Sequence, residues 1–215
     1  MNPTLFDLAE LIGVASAAIS GVLTAAQASL DVFGAIVLGC IKAVCGGIIR
    51  DLILGVTPPA TFRKPTYLLV AAGVSLAVFL LEYSFGETVE YGRKRYEQLL
   101  NAFDAVGLAI FVIIGVDAAN NAGYRDNAFL SVFVGTVTGI GGGMLRDMLI
   151  GKIPVVLQKH IYALAAIFGA VLYVYLPKLG CPTTASLYVA VAAILLIRFL
   201  ATHYRWNMPK YPRVK

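Results

Sequence analysis

A motif of two glycines, two further residues, an arginine and an aspartate occurs twice in the sequence. One copy runs from Gly46 to Asp51 and the other from Gly142 to Asp147, 96 positions later. Each glycine costs about 1 kcal/mol relative to alanine in a helix interior. Paired glycines in a helix therefore predict kinked or unwound turns. There, freed carbonyl groups would attract cations and freed amide groups would attract anions.

The glycines of the two clusters are the first candidates for a site. They are Gly46, Gly47, Gly141, Gly142 and Gly143. Small residues also recur every four positions in both segments, which is typical of tightly packed membrane helices. Close packing explains this spacing but not adjacent glycines, which cover different sides of a helix. We therefore favour two broken helices beside a water-filled path, and close packing of intact helices is the alternative.

Charged side chains accompany both clusters. Arg50 and Arg146 follow the glycines by about one helical turn, and the carboxylates Glu10 and Asp104 occupy matching positions in the preceding segments. We predict that Glu10 faces Arg50 and that Asp104 faces Arg146, as ion pairs at the two mouths of a pore. The alternative is that these charges are solvated at the membrane interface.

Lys42 lies one turn before Gly46, deep in an apolar segment, where the second copy of the motif has Thr138. A lysine at the centre of a membrane helix costs ~2.5–3.5 kcal/mol on insertion scales. Its amine can extend to the interface, pair with a carboxylate such as Asp7 or Glu10, or line an aqueous path. We favour a role in lining or gating a pore.

Hydroxyl side chains add polar surface near the same segments. Ser16, Ser20 and Thr24 recur every four residues, and Thr136 and Thr138 precede the second glycine cluster. Such hydroxyls can replace the hydration shell of an ion. They can equally donate to carbonyls of their own helix.

The elements that carry these residues are membrane helices. The chain has 215 residues, of which 59% are hydrophobic and 13% charged, and its mean hydropathy is +0.81. A soluble domain carries about 25% charged residues, so the composition excludes one. Seven runs have the ~20 apolar residues that a bilayer-crossing helix needs: 5–28, 31–54, 65–82, 99–120, 128–150, 155–176 and 185–204.

The distribution of basic residues predicts the orientation. Apart from Lys42, alternation of the seven spans places five lysines and arginines on the face of the N-terminus and eleven on the other face. The cytoplasmic side is the more basic one, so we expect the N-terminus outside and the C-terminus in the cytoplasm. The net charge of +5 is explained by this topology and implies no nucleic acid partner.

The repeat extends beyond the motif and divides the chain. Tyr67 matches Tyr162, for example, just as Glu10 matches Asp104. Since each copy contains three spans, the second copy must be inverted in the membrane, which is typical of transport proteins. We expect a first repeat at 1–82, a linker at 83–98, a second repeat at 99–178, a seventh helix at 179–204 and a basic cytoplasmic tail at 205–215.

Enzymatic chemistry is not indicated. The three cysteines and two histidines do not have the spacing of metal ligands, and the sequence has no nucleotide-binding loop. In the glycine-rich stretch from Gly139 to Gly143, Met144 occupies the position of the third glycine of a dinucleotide-binding motif. We expect no enzyme, no cofactor other than bound lipid, and no metal ion other than potassium or sodium in transit.

These residues together resemble a known family, the prokaryotic trimeric intracellular cation (TRIC) channels, over nearly the whole chain. The motifs that carry the resemblance are Ser20-Gly21, Asp31-x-Phe33-Gly34, Gly46-Gly47-x-x-Arg50-Asp51-x-x-x-Gly55-x-x-Pro58, Tyr67, Asp104-Ala105-x-Gly107-Leu108, Gly141-Gly142-Gly143-x-x-Arg146-Asp147 and Ile153-Pro154. Proteins of this kind have also been labelled by similarity as glycine transporters. The sequence departs from the pattern at Cys45, where a glycine is usual, and at Lys42, where a threonine is expected.

The resemblance implies an all-α homotrimer in the prokaryotic inner membrane, with one pore per subunit for potassium and sodium. The second and fifth helices would be kinked at the glycine clusters and form much of the pore wall. Besides other copies of itself and monovalent cations, its partners would be membrane lipids. The tail residues Arg205, Lys210, Arg213 and Lys215 could touch anionic lipid. The alternatives are a secondary carrier of glycine or a similar zwitterion, and a scaffold without transport.

Overall fold

The computed structural model describes residues 3–85, 93–158, 161–204 and 206, and these residues form a bundle of long helices. We number the seven long helices from first to seventh: Pro3–Gln27, Val32–Ile53, Thr66–Phe85, Arg93–Ala119, Ala128–Leu149, Ile161–Tyr175 and Thr183–His203. Short helices lie between them at Ala60–Arg63, Asn120–Tyr124, Val155–Gln158 and Pro177–Leu179. Each long helix overlaps a segment that is long and apolar enough to cross a membrane. The fourth helix begins at Arg93, inside the segment expected to be a linker.

The second and fifth helices begin with the same kind of cap. Asp31 precedes the second helix and its side chain accepts a hydrogen bond of 2.8 Å from the backbone nitrogen of Gly34. Asn127 precedes the fifth helix and accepts one of 3.0 Å from Leu130. Such side chains satisfy backbone N–H groups that have no partner within the helix. The repeat is therefore visible in the local chemistry that starts each helix.

The same two helices also end alike. After the second helix, Gly55 has a φ of +72°, and the backbone nitrogen of Val56 donates to the carbonyl of Asp51 at 2.8 Å. After the fifth helix, Gly151 has a φ of +67° and the next residue makes the equivalent bond. This is a Schellman ending, in which glycine tolerates the left-handed conformation that other residues resist.

The second and fifth helices pack against each other through the glycine clusters. A Cβ atom at Gly46 would overlap the carbonyl oxygen of Thr138, and one at Gly142 would overlap the carbonyl oxygen of Lys42. Each helix thus supplies a glycine and a carbonyl to one crossing, arranged about a pseudo-two-fold axis. Because glycine has no side chain, the backbones of the two helices are in direct contact at Gly46 and Gly142.

The predicted unwinding of these helices is wrong. The second helix is α-helical from Val32 to Ile53 and the fifth from Ala128 to Leu149, without interruption at the glycines. None of the clustered glycines has a positive φ. The physical reason is that an unbroken helix satisfies its own backbone groups in the membrane. The glycines instead make room for the neighbouring helix.

Each repeat forms one side of the bundle. The first helix packs on the second and third, the fourth packs on the fifth and sixth, and contacts of the second with the fifth and of the first with the fourth join the halves. The seventh helix packs mainly on the sixth and the fourth, where Ile194 joins Leu108 and Val112 in a buried apolar cluster. It therefore belongs to one side only.

Candidate functional site

Matching positions of the two repeats form two half-sites. The first half-site contains Glu10, Arg50 and Tyr67, and the second contains Asp104, Arg146 and Tyr162. Each combines a carboxylate on the opening helix of its repeat, an arginine near the end of the next helix and a tyrosine on the last helix. The inversion of the repeat places the half-sites toward opposite faces of the bundle.

Asp104 is the centre of the second half-site. One of its carboxylate oxygens lies 2.5 Å from the Lys42 amine and 3.5 Å from the Arg146 guanidinium. The other lies 3.6 Å from the guanidinium of Arg198, on the seventh helix. Tyr162 hydrogen-bonds the same carboxylate. Three cations from three helices therefore converge on one buried carboxylate.

Arg146 is held by several partners. Its Nε donates to Asp147 at 2.8 Å, and its second terminal nitrogen lies 2.7 Å from the same carboxylate oxygen. Its first terminal nitrogen donates to the Ser20 hydroxyl at 2.9 Å. The other oxygen of Asp147 accepts from the backbone nitrogen of Val155 at 2.9 Å, where a short helix begins. We call Lys42, Asp104, Arg146, Asp147 and Arg198 the charge cluster.

The charge cluster is sealed from solvent and is not electrically balanced. Each of its side chains is at most 5% exposed. With lysine and arginine protonated and aspartate ionised, three positive charges face two negative ones. An uncompensated charge of this kind is costly in a medium of low dielectric constant, and intramembrane ionisable groups usually mark functional sites.

The first half-site is arranged differently. Arg50 donates from Nε to Asp51 at 2.8 Å, and Asp51 accepts from the backbone nitrogen of Ala60 at 2.7 Å. Glu10 instead accepts a hydrogen bond from the side chain of Tyr67. Glu10 and Arg50 lie in the wall of the same cavity and interact electrostatically, but among the described residues no ion pair joins them. Their pairing at a pore mouth stays a prediction.

A cavity of about 420 Å³ opens at the first half-site. It extends from Arg63 and Lys64, in the loop between the second and third helices, to Thr138 at the helix crossing. Glu10 and Arg50 both lie in its wall. Among the residues that the structure describes, the lining consists of Phe6, Asp7, Glu10, Val14, Ala43, Val44, Gly47, Arg50, Ala60, Thr61, Arg63, Lys64, Tyr67, Phe111, Ile114, Ala118, Asn121 and Thr138.

The partner of Lys42 is a carboxylate of the second repeat. Lys42 is 4% exposed, so its amine does not reach the surface, and it pairs with Asp104 rather than with Asp7 or Glu10. At the helix crossing, the backbone carbonyl of Lys42 faces Gly142 on the fifth helix, and the side chain of Lys42 extends to the second half-site. The predicted proximity of Asp104 and Arg146 is present in the structure, but the pair is buried inside the cluster.

The remaining predicted residues do not all lie at one place. Gly47 and Thr138 line the cavity, and the Thr138 hydroxyl donates to the carbonyl of Val134 in its own helix at 2.6 Å. A Cβ at Gly143 would lie near the amine of Lys42, and one at Gly141 near Ile49. Ser20 contacts the charge cluster, whereas Ser16 and Thr136 are buried outside the contacts just described.

Arg198 is the participant that sequence reasoning missed. Arg198 is one of the eleven basic residues that predict the cytoplasmic face. A lone arginine in an apolar helix, four positions after Ile194, is itself unusual and is the signal that indicates a further role. The basic tail residues Arg205, Lys210, Arg213 and Lys215 and the histidine at position 160 lie outside the described residues. Within the part of the chain that the structure describes, no group of His, Cys, Asp or Glu could hold a metal ion.

Comparison with protein families and curated proteins gives a consistent result. A family model described as glycine transporter matches residues 7–83 and 101–178. The chain is 34% identical over 215 residues to a UPF0126 membrane protein of Vibrio cholerae, covering 100% of this chain and 86% of that one. It is 36% identical over 203 residues to the inner membrane protein YadS of Escherichia coli, covering 94% of both.

Solved structures are similar over nearly the full length. A structure from a study of conductance through TRIC cation channels has a TM-score of 0.82 and 33% identity, covering 98% of each chain. The trimeric intracellular cation channel orthologue of Rhodobacter sphaeroides has a TM-score of 0.84 and 32% identity, covering 94% of this chain and 100% of that one.

Proposed function

Because the chain belongs to the family of the TRIC cation channels, which its family model describes as glycine transporters, we propose that it is a channel for monovalent cations such as potassium and sodium. The proposal rests above all on one observation. A cavity of about 420 Å³ with charged side chains in its wall enters the bundle at one half-site, and the buried charge cluster occupies the equivalent position at the other. Such a molecule is a pore closed at one end.

The proposed path follows the crossing of the second and fifth helices. Ions enter the cavity past Glu10 and reach Thr138 at the crossing. Beyond the crossing lies the contact between Lys42 and Asp104. Opening separates this contact, and Asp104 then becomes available to a passing cation. Gly46 and Gly142 permit the close crossing, and Gly47 contributes to the wall.

The cavity and the charge cluster lie within a single chain, which supports one pore per subunit. The Rhodobacter sphaeroides relative is trimeric, and we infer the same assembly for this protein. Its Escherichia coli relative is an inner membrane protein. Together with the excess of lysine and arginine on one face, this supports an inner-membrane location with the cavity facing outward and the charge cluster toward the cytoplasm.

A carrier of glycine or another small zwitterion is the second candidate. The observation that favours it is the mixed charge of the cavity, whose wall contains the carboxylates of Asp7 and Glu10 and the cations Arg50, Arg63 and Lys64. Such a wall can hold an ammonium and a carboxylate group at once. In that case the charge cluster closes one side during alternating access.

Two measurements on the purified protein separate the candidates. A channel produces unitary currents in a planar bilayer, with a reversal potential that follows the potassium or sodium gradient. A carrier produces no unitary currents, but saturable glycine uptake into proteoliposomes that is stimulated by glycine inside. Unitary currents without counterflow support the channel, counterflow without such currents supports the carrier, and neither activity contradicts both.

A further inference from the structure

The seventh helix contributes a charge to the site although it lies outside the repeat. It packs mainly on the fourth and sixth helices, which belong to the second repeat. Near its end Arg198 points into the bundle and is only 3% exposed. At the first half-site no such helix is present among the described residues. Arg50 is the cation that acts on Glu10 there, and it is paired with Asp51.

Arg198 is held less firmly than the other arginine of the cluster. Its guanidinium lies 3.6 Å from Asp104 and 4.4 Å from the ring centre of Tyr162. Its Nε is buried without a hydrogen-bond partner among the described residues. Arg146, in contrast, bonds to Asp147, Asp104 and Ser20. A buried donor without a partner is destabilising, so this placement is not explained by stability alone.

The charge count shows what Arg198 adds. Without it, Lys42 and Arg146 would balance Asp104 and Asp147, and the cluster would be neutral. With it, the cluster carries one excess positive charge on the proposed path. A fixed positive charge in a medium of low dielectric constant repels cations over several ångströms.

We propose that Arg198 determines the permeability of the pore to cations, because it places this excess positive charge beside Asp104. The seventh helix thereby sets how readily a cation passes the sealed half-site. Movement of this helix away from the sixth would withdraw the charge without breaking the pair of Lys42 and Asp104. The inference rests on the proposed channel function, which it deepens by naming a residue that determines specificity.

The test compares R198M, R198K and wild type as purified full-length protein in planar bilayers, with R198Q as a second neutral variant. Methionine keeps much of the side-chain volume, and R198M leaves Lys42 and Arg146 to balance Asp104 and Asp147, so the variant creates no uncompensated buried charge. We expect R198M to raise the potassium current about tenfold and to raise the permeability of potassium over chloride, because one unit charge beside the path is removed. R198K keeps the charge and should retain wild-type values.

The matched control is I194V, which removes one buried methylene one turn earlier on the same helix. It should leave current and selectivity unchanged. If wild type conducts and R198M has the same current and selectivity, the role of Arg198 is contradicted and the channel function is not. If none of the proteins produces currents, the channel function itself is contradicted. If I194V changes selectivity as R198M does, or if neither R198M nor R198Q folds, Arg198 is structural and the proposal is wrong.

Discussion

Lys42 and Thr138 occupy equivalent positions in the two repeats, and the carbonyl of each packs against a glycine of the opposite helix. Their backbones are therefore related by the pseudo-two-fold axis, but their side chains are not. Thr138 bonds to its own helix and lines the cavity. Lys42 crosses to the fourth helix and pairs with Asp104. The two repeats thus differ at one position of a symmetric crossing, lysine in one and threonine in the other. Thr138 lines the cavity of the first half-site, and Lys42 is part of the buried second half-site.

The crossing itself predicts a strong effect of small substitutions. G46A and G142A each place a methyl group against a backbone carbonyl of the partner helix. Overpacking of this kind costs about 1–3 kcal/mol, so both variants should unfold at lower temperature in detergent, as followed by circular dichroism. G73A is the matched control, since nothing lies within 4 Å of its added Cβ. Equal melting of G46A, G142A and G73A would show that the helices do not cross as described.

The charge cluster predicts an asymmetric cost of removing its members. D104N leaves Lys42 buried beside two arginines with no ionised partner. Removing one member of a buried ion pair typically lowers the free energy of unfolding by about 3–5 kcal/mol.

The double variant K42M/D104L removes a positive and a negative charge together. It should therefore recover part of the stability that D104N loses, as measured by thermal unfolding in the same detergent. If the double variant is less stable than D104N, Lys42 and Asp104 are not coupled in the folded protein.

The cavity predicts an effect of Glu10 that depends on salt. E10Q removes a negative charge from the wall, so it should reduce the unitary potassium current at low ionic strength by about half. The difference should vanish near 1 M salt, where the screening length falls to about 3 Å. D126N is the control, since Asp126 is exposed in the loop before the fifth helix and does not line the cavity. A salt-independent loss in E10Q would place Glu10 outside the ion path.

Much of the fold follows from the sequence alone. Seven apolar runs predict seven helices, and three matched spans per repeat require an inverted second copy. The proximity of Asp104 and Arg146 could also be predicted, because the sequence places both residues at comparable depths in neighbouring apolar segments. The length of the apolar runs and the pattern of repeated residues within them are sufficient to predict these features.

The contacts between helices are less predictable. Paired glycines are compatible with a broken helix and with a close crossing, and the carbonyls of Thr138 and Lys42 on the facing helix determine which of the two occurs. The partner of Lys42 is 62 positions away on the fourth helix, beyond any local spacing rule. Arg198 reaches the cluster only because the seventh helix packs on the second repeat, which no repeat pattern in the sequence indicates.

The central claim is that the contact between Lys42 and Asp104 closes an ion path that continues from the cavity. Unitary currents of wild type and K42T in a potassium gradient test it most directly, because threonine restores the residue of the other repeat and leaves Asp104 with two arginines. The account predicts cation-selective currents in both proteins, with a several-fold higher open probability in K42T. Identical open probabilities in two conducting proteins, or no currents from either, would contradict it.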